Sequence, residues 1–168
     1  MFAKLANFGV AAIPCMFLSF LMAACTDAEK PPATEAAKGL NEKATAAAWE
    51  AFNSNKFEAA ITNAVLCIEE FRGAATRIQT KLEKEKAVVP NGAVAKEEEK
   101  KIHENGLLND VATCYFIKGR AAEKLKRNED AKKAYQEAKK YTYARSWDPS
   151  GWFWSPAEAA ADRLDSLR

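Results

Sequence analysis

The residues of this chain best suited to chemistry are one histidine and two cysteines on predicted helices. His103 is the only histidine among the 168 residues, so a Ser/His/Asp triad, a Cys/His pair or a His-based metal site would depend on it. Cys114 lies on the same predicted helix, about 16 Å away at 1.5 Å per residue, which is too far for proton transfer. A Gly-rich phosphate loop, an acidic metal cluster and zinc-ligand spacing are all missing from the sequence. The sequence therefore predicts no enzyme activity, no cofactor and no metal.

The two cysteines of the helical part lie on apolar helix faces that should be neighbours. Cys67 and Cys114 could form a disulfide outside the cytoplasm or remain as two buried thiols, and the sequence leaves both open. Buried thiols are the favoured prediction.

The N terminus has the layout of a secretory signal. Lys4 precedes an apolar stretch from Leu5 to Leu21, and small residues follow it. An uncleaved anchor is the alternative, because about 20 apolar residues can span the ~30 Å hydrocarbon core of a bilayer. Plain secretion is a third option, and all three predict export of the domain.

The residues at the end of this stretch, Met22-Ala23-Ala24-Cys25, resemble the lipobox of bacterial lipoproteins, with Met22 where that family prefers Leu. The resemblance implies that a diacylglyceryl group is attached to the sulfur of Cys25 and that residues 1–24 are removed as a signal peptide. It also implies a protein anchored by lipid in the cell membrane or outer membrane, facing the periplasm. Residues 25–33 are polar with two prolines, which predicts a short tether.

Composition bounds the mature chain, residues 25–168, in which residues 34–168 form the predicted domain. Removal of the signal takes away Lys4 and no acidic residue, which leaves 24 basic and 23 acidic residues. This near-neutral balance gives no electrostatic case for nucleic-acid binding. Ala, Lys and Glu are abundant, whereas Gly and Pro are few and cluster at breaks, so we expect one all-α domain.

Hydrophobic spacing predicts about five helices, over approximately 34–52, 56–86, 95–126, 129–141 and 156–166. Asn55 and Asn128 are the predicted N-caps of the second and fourth helices. The dipeptide Asn105-Gly106 predicts a kink in the third. Ser155 followed by Pro156 and Glu158 predicts the start of a C-terminal capping helix.

Small residues in the second half of the domain have a regular spacing. Gly119, Ala131 and Ala138 stand twelve and then seven residues apart, with Tyr115 and Tyr135 between them. This pattern resembles the tetratricopeptide repeat (TPR), a helix–turn–helix unit in which small residues let two antiparallel helices approach closely.

A weaker copy of the pattern occurs earlier, at Ala48, Ala60 and Cys67, and the resemblance covers about 41–73 and 112–143. The resemblance implies TPR-like antiparallel helix hairpins whose first helices line a groove for a partner protein or peptide. The groove residues it implies are Trp49, Phe52, Phe116, Arg120 and Lys124, together with Thr45 and Thr113. The alternative is that Trp49, Phe52 and Phe116 are ordinary core residues.

Six aromatic residues fall within the 14 residues before the last helix: Tyr141, Tyr143, Trp147, Trp152, Phe153 and Trp154. Between them, Asp148-Pro149-Ser150-Gly151 predicts a type I turn. The favoured interpretation is a loop that covers the end of the helical stack, with Trp152 and Trp154 buried on the terminal helices. The other is a binding surface formed by Trp147, Asp148, Trp152, Phe153 and Trp154.

Together these features predict a non-enzymatic envelope lipoprotein that acts as a scaffold or adaptor. Its expected partner is an envelope protein or peptide bound in the TPR-like groove, and the membrane is reached through the lipid. The alternative is a receptor for a small ligand or glycan that uses the Trp147–Trp154 loop.

Overall fold

The computed structural model describes residues 39–167, which form an all-α domain with one small β-hairpin. The elements in chain order are α1 (Leu40–Asn53), α2 (Phe57–Lys84), α3 (Lys96–Glu104), α4 (Gly106–Lys124), α5 (Asn128–Ala138), β1 (Ser146–Asp148), β2 (Trp152–Trp154) and α6 (Pro156–Ser166). The all-α prediction is confirmed for these residues. The signal peptide, Cys25 and the tether lie outside them.

The described residues contain six helices, whereas the sequence predicted about five, because the long third helix is divided. At Asn105 the backbone leaves the helical conformation, with φ −92° and ψ 26°. Its side-chain amide donates to the Lys101 carbonyl at 3.3 Å, which satisfies a group at the end of α3. Gly106 then begins α4, so the predicted kink is a complete break.

The turn between α1 and α2 corrects the predicted role of Asn55. This residue adopts the left-handed conformation, with φ 59°, and the N–H of Lys56 donates to the Ala51 carbonyl at 2.8 Å. These features are those of a Schellman ending for α1. Asn55 was predicted to cap α2, but Lys56 is the N-cap, and it makes no side-chain capping bond.

The turn between α4 and α5 has the same form. Lys126 has φ 61°, and the N–H of Arg127 donates to the Ala122 carbonyl at 2.9 Å. Asn128 is the first residue of α5 rather than its cap, because the backbone reaches α5 through Arg127. The prediction of Asn128 as N-cap is therefore wrong for the same reason.

Helix α1 begins at Leu40, directly after Gly39, which takes the left-handed conformation with φ 84°. The predicted helix start near Thr34 lies outside the described residues. Among residues 39–167, every helix is too short or too polar to cross a bilayer.

Helix α4 lies at the centre of the domain and contacts α1, α2, α5 and α6. The buried small residues at these helix contacts include Ala48, Ala60, Ala64, Ala75, Ala131 and Ala138. At Gly119 the Tyr135 ring packs so closely that an added Cβ would lie 2.7 Å from its Cδ1 atom. The small residues therefore set the distance between the helices, as close packing requires.

The aromatic segment forms a β-hairpin, which the sequence did not predict. β1 and β2 pair antiparallel with Trp147 opposite Phe153. The chain makes a turn at Asp148–Gly151, as predicted, and it is closed by the hydrogen bond typical of a β-turn. The N–H of Gly151 donates to the Asp148 carbonyl at 2.9 Å. Gly151 takes φ 95°, which completes a three-residue hairpin loop.

The segment after α2 is attached to this hairpin. Gly92 and Phe153 exchange two backbone hydrogen bonds, of 2.7 and 2.9 Å. The segment between the second and third predicted helices is therefore held beside β2.

Helix α6 begins and ends where the sequence predicted. The Ser155 hydroxyl accepts the N–H of Glu158 at 3.2 Å, and Pro156 occupies the first helical position. Arg163 binds Glu123 on α4 through both of its carboxylate oxygens, at 2.7 and 2.8 Å. This ion pair fixes α6 against α4.

Candidate functional site

Four of the five residues predicted to line the groove form one aromatic cluster. The Trp49 ring lies 5.9 Å from Phe52 on α1 and 6.5 Å from Phe116 on α4. The Arg120 guanidinium lies over the Phe52 and Phe116 rings, 5.5 and 5.7 Å from their centroids. These distances are typical of aromatic and cation–π contacts. Lys124, the fifth, is exposed at the end of α4.

The hairpin completes this cluster. Trp154 packs edge-on against Phe116, with 5.2 Å between ring centroids. An open cavity of about 430 Å³ lies between α1 and the hairpin, lined by Trp49, Asn53, Ser146, Trp147, Asp148, Pro149 and Trp154. The helical face and the aromatic segment, which the sequence treated as two separate candidates, thus meet in one place. We call this cavity and the aromatic cluster beside it the aromatic groove.

The three aromatic residues of β2 differ in exposure because a strand alternates its side chains between two faces. Phe153 is 1% exposed, whereas Trp152 is 41% exposed, and Trp154 is half-buried on Phe116. The prediction that Trp152 is buried on the terminal helices is therefore wrong. On β1, Trp147 is 42% exposed although it packs against Phe153.

A second cavity, of about 320 Å³, adjoins the aromatic groove at Ser146 and Trp147. Its lining residues are Glu42, His103, Gly106, Asn109, Asp110, Thr113, Arg145, Ser146, Trp147 and Phe153. Burial raises the pKa of Asp110 to about 6. Its hydrogen bonds with Asn41 and Thr45 favour the charged carboxylate and act in the opposite direction. We call this second cavity the acidic cavity.

Sequence reasoning missed Asp110, although a signal existed. Residues 107–117 of α4 are otherwise almost entirely apolar, so the chain buries most faces of this helix. A carboxylate inside such a run is exceptional, because Asp is rarely buried unless it is paired. The position of Asp110 therefore marks it as a candidate functional residue.

Arg145 was also missed, and it holds the base of the hairpin. Its guanidinium donates to the carbonyls of Val89, Pro90, Thr142 and Ala144. Its backbone N–H donates to the side-chain carbonyl of Asn109 at 2.9 Å. Burial lowers the pKa of this guanidinium. No pattern in the sequence marks Arg145, because its partners are backbone atoms of distant residues.

His103 packs on the hairpin. Its ring lies 5.4 Å from Phe153 and 6.3 Å from Trp147, while its Nε2 is 3.7 Å from a carboxylate oxygen of Glu99. Residues 39–167 contain no group of three or more His, Cys, Asp or Glu side chains placed to hold a metal ion.

Cys67 and Cys114 are both buried and are free thiols in the structure. The hydroxyl oxygen of Thr45 lies 3.3 Å from the Cys114 sulfur and 3.7 Å from the Cys67 sulfur. Hydrogen bonding to Cys67 and burial raise the pKa of the Cys114 thiol, so it is a poor nucleophile. Thr45 and Thr113, the remaining residues implied for the groove, are themselves buried.

Comparison with known proteins gives no match: no protein-family model, no curated protein and no solved structure matches this chain.

Proposed function

We propose that the protein is a non-enzymatic bacterial envelope lipoprotein that acts as a scaffold or adaptor by binding a partner protein or peptide in a TPR-like helical groove. A diacylglyceryl group on Cys25 would tether it to the membrane, with residues 39–167 facing the periplasm. The aromatic groove carries this proposal.

The two similar turns support a TPR-like arrangement. An offset of 71 residues relates Ala48 to Gly119 and Ala60 to Ala131. The same offset relates the left-handed residues of the two turns, Asn55 and Lys126, whose φ angles are 59° and 61°. Equal spacing and equal turn geometry are expected of two copies of one helix–turn–helix unit.

The packing order gives further support. Helix α4 contacts α2 and α1, and α6 in turn contacts α5 and α4. This succession is what stacking of repeats produces, because each new helix packs on the pair before it. In this arrangement α6 occupies the place of the first helix of a next unit and acts as a cap.

The aromatic groove has the properties of a site for an apolar segment of a partner. Trp49 and Trp154 line an open cavity of about 430 Å³, which is large enough for one or two large apolar side chains. Large aromatic residues and Arg, such as Arg120 beside Phe52, dominate the energetics of many protein interfaces.

A receptor for a small ligand or glycan is the second candidate, and the exposed indoles favour it. Trp147 and Trp152 are 42% and 41% exposed on a hairpin that is held at both ends. An exposed indole on a fixed backbone would lose little conformational entropy when a sugar ring stacks on it. In this case the Trp152→Ala change would remove ligand affinity and leave the melting temperature nearly unchanged.

Photocrosslinking in living cells tests the adaptor proposal. A photoreactive phenylalanine analogue replaces Asn53, which is exposed and lines the aromatic groove. We expect a discrete protein adduct after irradiation, and we expect the additional change Trp154→Ala to weaken it because that residue forms the opposite wall.

The matched control carries the same analogue at Leu66, which is 58% exposed on α2. Equal adducts from position 66, or none from position 53, would contradict the adaptor proposal. In that case, selective binding of a glycan that is lost in Trp152→Ala would favour the receptor.

Membrane attachment is tested separately. The Cys25→Ser variant should incorporate no labelled fatty acid and should stay unprocessed or be released. Normal labelling of this variant would refute the lipoprotein assignment and leave the binding proposal intact.

A further inference from the structure

The acidic cavity shares Ser146 and Trp147 with the aromatic groove, but most of its lining residues belong to it alone. Carboxylates come from α1 and α4, through Glu42 and Asp110, and aromatic rings come from α3 and the hairpin. Helix α1, the α3–α4 pair and the hairpin are distant from one another in sequence, and the tertiary fold brings them together. With about 320 Å³, the cavity has the size of a site for a small organic group.

Asp110 is the mostly buried carboxylate of the acidic cavity. The side-chain amide of Asn41 donates to its carboxylate at 2.5 Å. Among residues 39–167, no Lys, Arg or His forms an ion pair with it. A mostly buried carboxylate without a cation lowers stability, so a bound cation would be favoured here.

Arg145 lines the same cavity but does not supply that cation. Its guanidinium is engaged by backbone carbonyls, including those of Pro90 and Thr142, on the side of the segment after α2. The only charged side chain that affects its pKa is Glu158, on α6. Its hydrogen-bond donors are therefore occupied at the base of the hairpin.

The aromatic rings provide the second contribution. Trp147 and Phe153 lie 4.9 Å apart, and His103 lies within 6.3 Å of both. The negative face of an aromatic ring attracts a cation, and Trp does so most strongly. Because Trp147 is 42% exposed, its ring is accessible to a ligand.

We propose that the acidic cavity binds an alkylammonium group, with Asp110 and Glu42 as its anionic partners and Trp147 as its aromatic contact. A short primary amine fits the volume, either as a free small molecule or as the end of a lysine side chain on a peptide. The inference does not rest on the partner-binding proposal, because its anionic partners, Asp110 and Glu42, line the acidic cavity and not the aromatic groove.

The test is titration of the protein with n-butylammonium chloride, monitored through the NMR signals of the indole N–H groups. Trp147→Phe assigns the Trp147 signal. We expect a saturable shift of this signal, and no such shift with 1-butanol, which has similar size but no charge.

Asp110→Asn is the decisive variant, because it keeps the shape of the side chain and removes its charge. We expect its affinity for n-butylammonium to fall at least about tenfold. Asp130→Asn, which removes an exposed carboxylate on α5, is the matched control and should bind as the unmodified protein does. The remaining NMR signals establish that both variants are folded.

A lysine-containing tripeptide distinguishes the two sources of the ammonium group. Tighter binding of the peptide than of n-butylammonium, with the same dependence on Asp110, assigns the site to a peptide side chain. Equal or weaker binding assigns it to a free amine. Unchanged affinity in Asp110→Asn, equal shifts with 1-butanol, or no saturable shift would overturn the proposal.

Discussion

The helical stack and the β-hairpin bury aromatic residues in different ways. In the stack, the Tyr135 ring is fully buried against Gly119, and its hydroxyl donates to Glu123 at 2.8 Å. In the hairpin, Phe153 is buried, yet its neighbour Trp152 is 41% exposed. At Tyr135 the helical part uses a large ring for packing alone, whereas the hairpin uses one ring for packing and presents another to solvent.

This difference separates residues that hold the fold from residues available for function. Where close packing fixes a ring, a change of one methyl group should be felt throughout the neighbouring helices. Where an indole is exposed on a fixed backbone, the same change should affect binding alone. Four substitutions, two in the hairpin and two in α4, test this distinction.

The largest effect is expected at Phe153. Phe153→Ala should lower the free energy of unfolding by about 3–5 kcal/mol, the range for removal of a buried large aromatic ring. Loss of the Phe153 ring would also remove its contact with His103. Urea denaturation measures this change, and a loss below about 1 kcal/mol would mean that the hairpin is not fixed to the stack.

Asp110 should give the next largest effect, through pH. Its folded-state pKa of about 6 lies above its ordinary value of 3.8, so the folded protein binds this proton more tightly than the unfolded chain. The charged carboxylate therefore lowers stability at pH 7, and stability attributable to it should rise by roughly 3 kcal/mol at most as pH falls to about 4.

Asp110→Asn should remove this contribution. We expect the variant to be more stable than the unmodified protein at pH 7, with a smaller gain on acidification. Urea denaturation of both proteins at pH 7 and pH 4.5 isolates the difference, because the two proteins differ only at residue 110. Identical pH dependence would contradict the burial of a charged Asp110.

Gly119→Ala tests the close approach in the stack. Alanine normally stabilises a helix by about 1 kcal/mol relative to glycine. Here the added Cβ would lie 2.7 Å from Cδ1 of Tyr135 and would also overlap Cε1, so we expect a loss of about 1–3 kcal/mol from overpacking.

Gly73→Ala is the matched control, because Gly73 lies within α2 and its added Cβ would meet only Arg77 Nη1, at 3.7 Å. This variant should be slightly more stable. A Gly119→Ala protein that gains as much in thermal denaturation would show that α4 and α5 are less closely packed than described.

The smallest effect is expected at Trp152. Trp152→Ala should lower the free energy of unfolding by about 1 kcal/mol, well below the loss at Phe153, because 41% of the residue is exposed. The same variant is a probe of the receptor alternative in ligand binding. A loss comparable to that of Phe153→Ala would remove the distinction between the two residues and restore a purely structural role for the hairpin.

The sequence by itself determined the helical class and the signals that act locally. Ser155, Pro156 and Glu158 lie within four residues, so the capping bond that starts α6 could be predicted from their order alone. The Asp148–Gly151 turn was predictable for the same reason. Asn55 was mistaken for a cap because the backbone of the preceding helix, rather than the Asn side chain, decides the geometry there.

The tertiary structure alone decided how distant residues meet. The sequence placed Trp49 and Trp154 in separate hypotheses, but contacts across more than a hundred residues put them on opposite walls of one groove. It gave no sign of Arg145, whose partners are backbone carbonyls of other segments. Local patterns record the conformation of a short stretch of chain, whereas a binding site depends on long-range packing that leaves no pattern within any one segment.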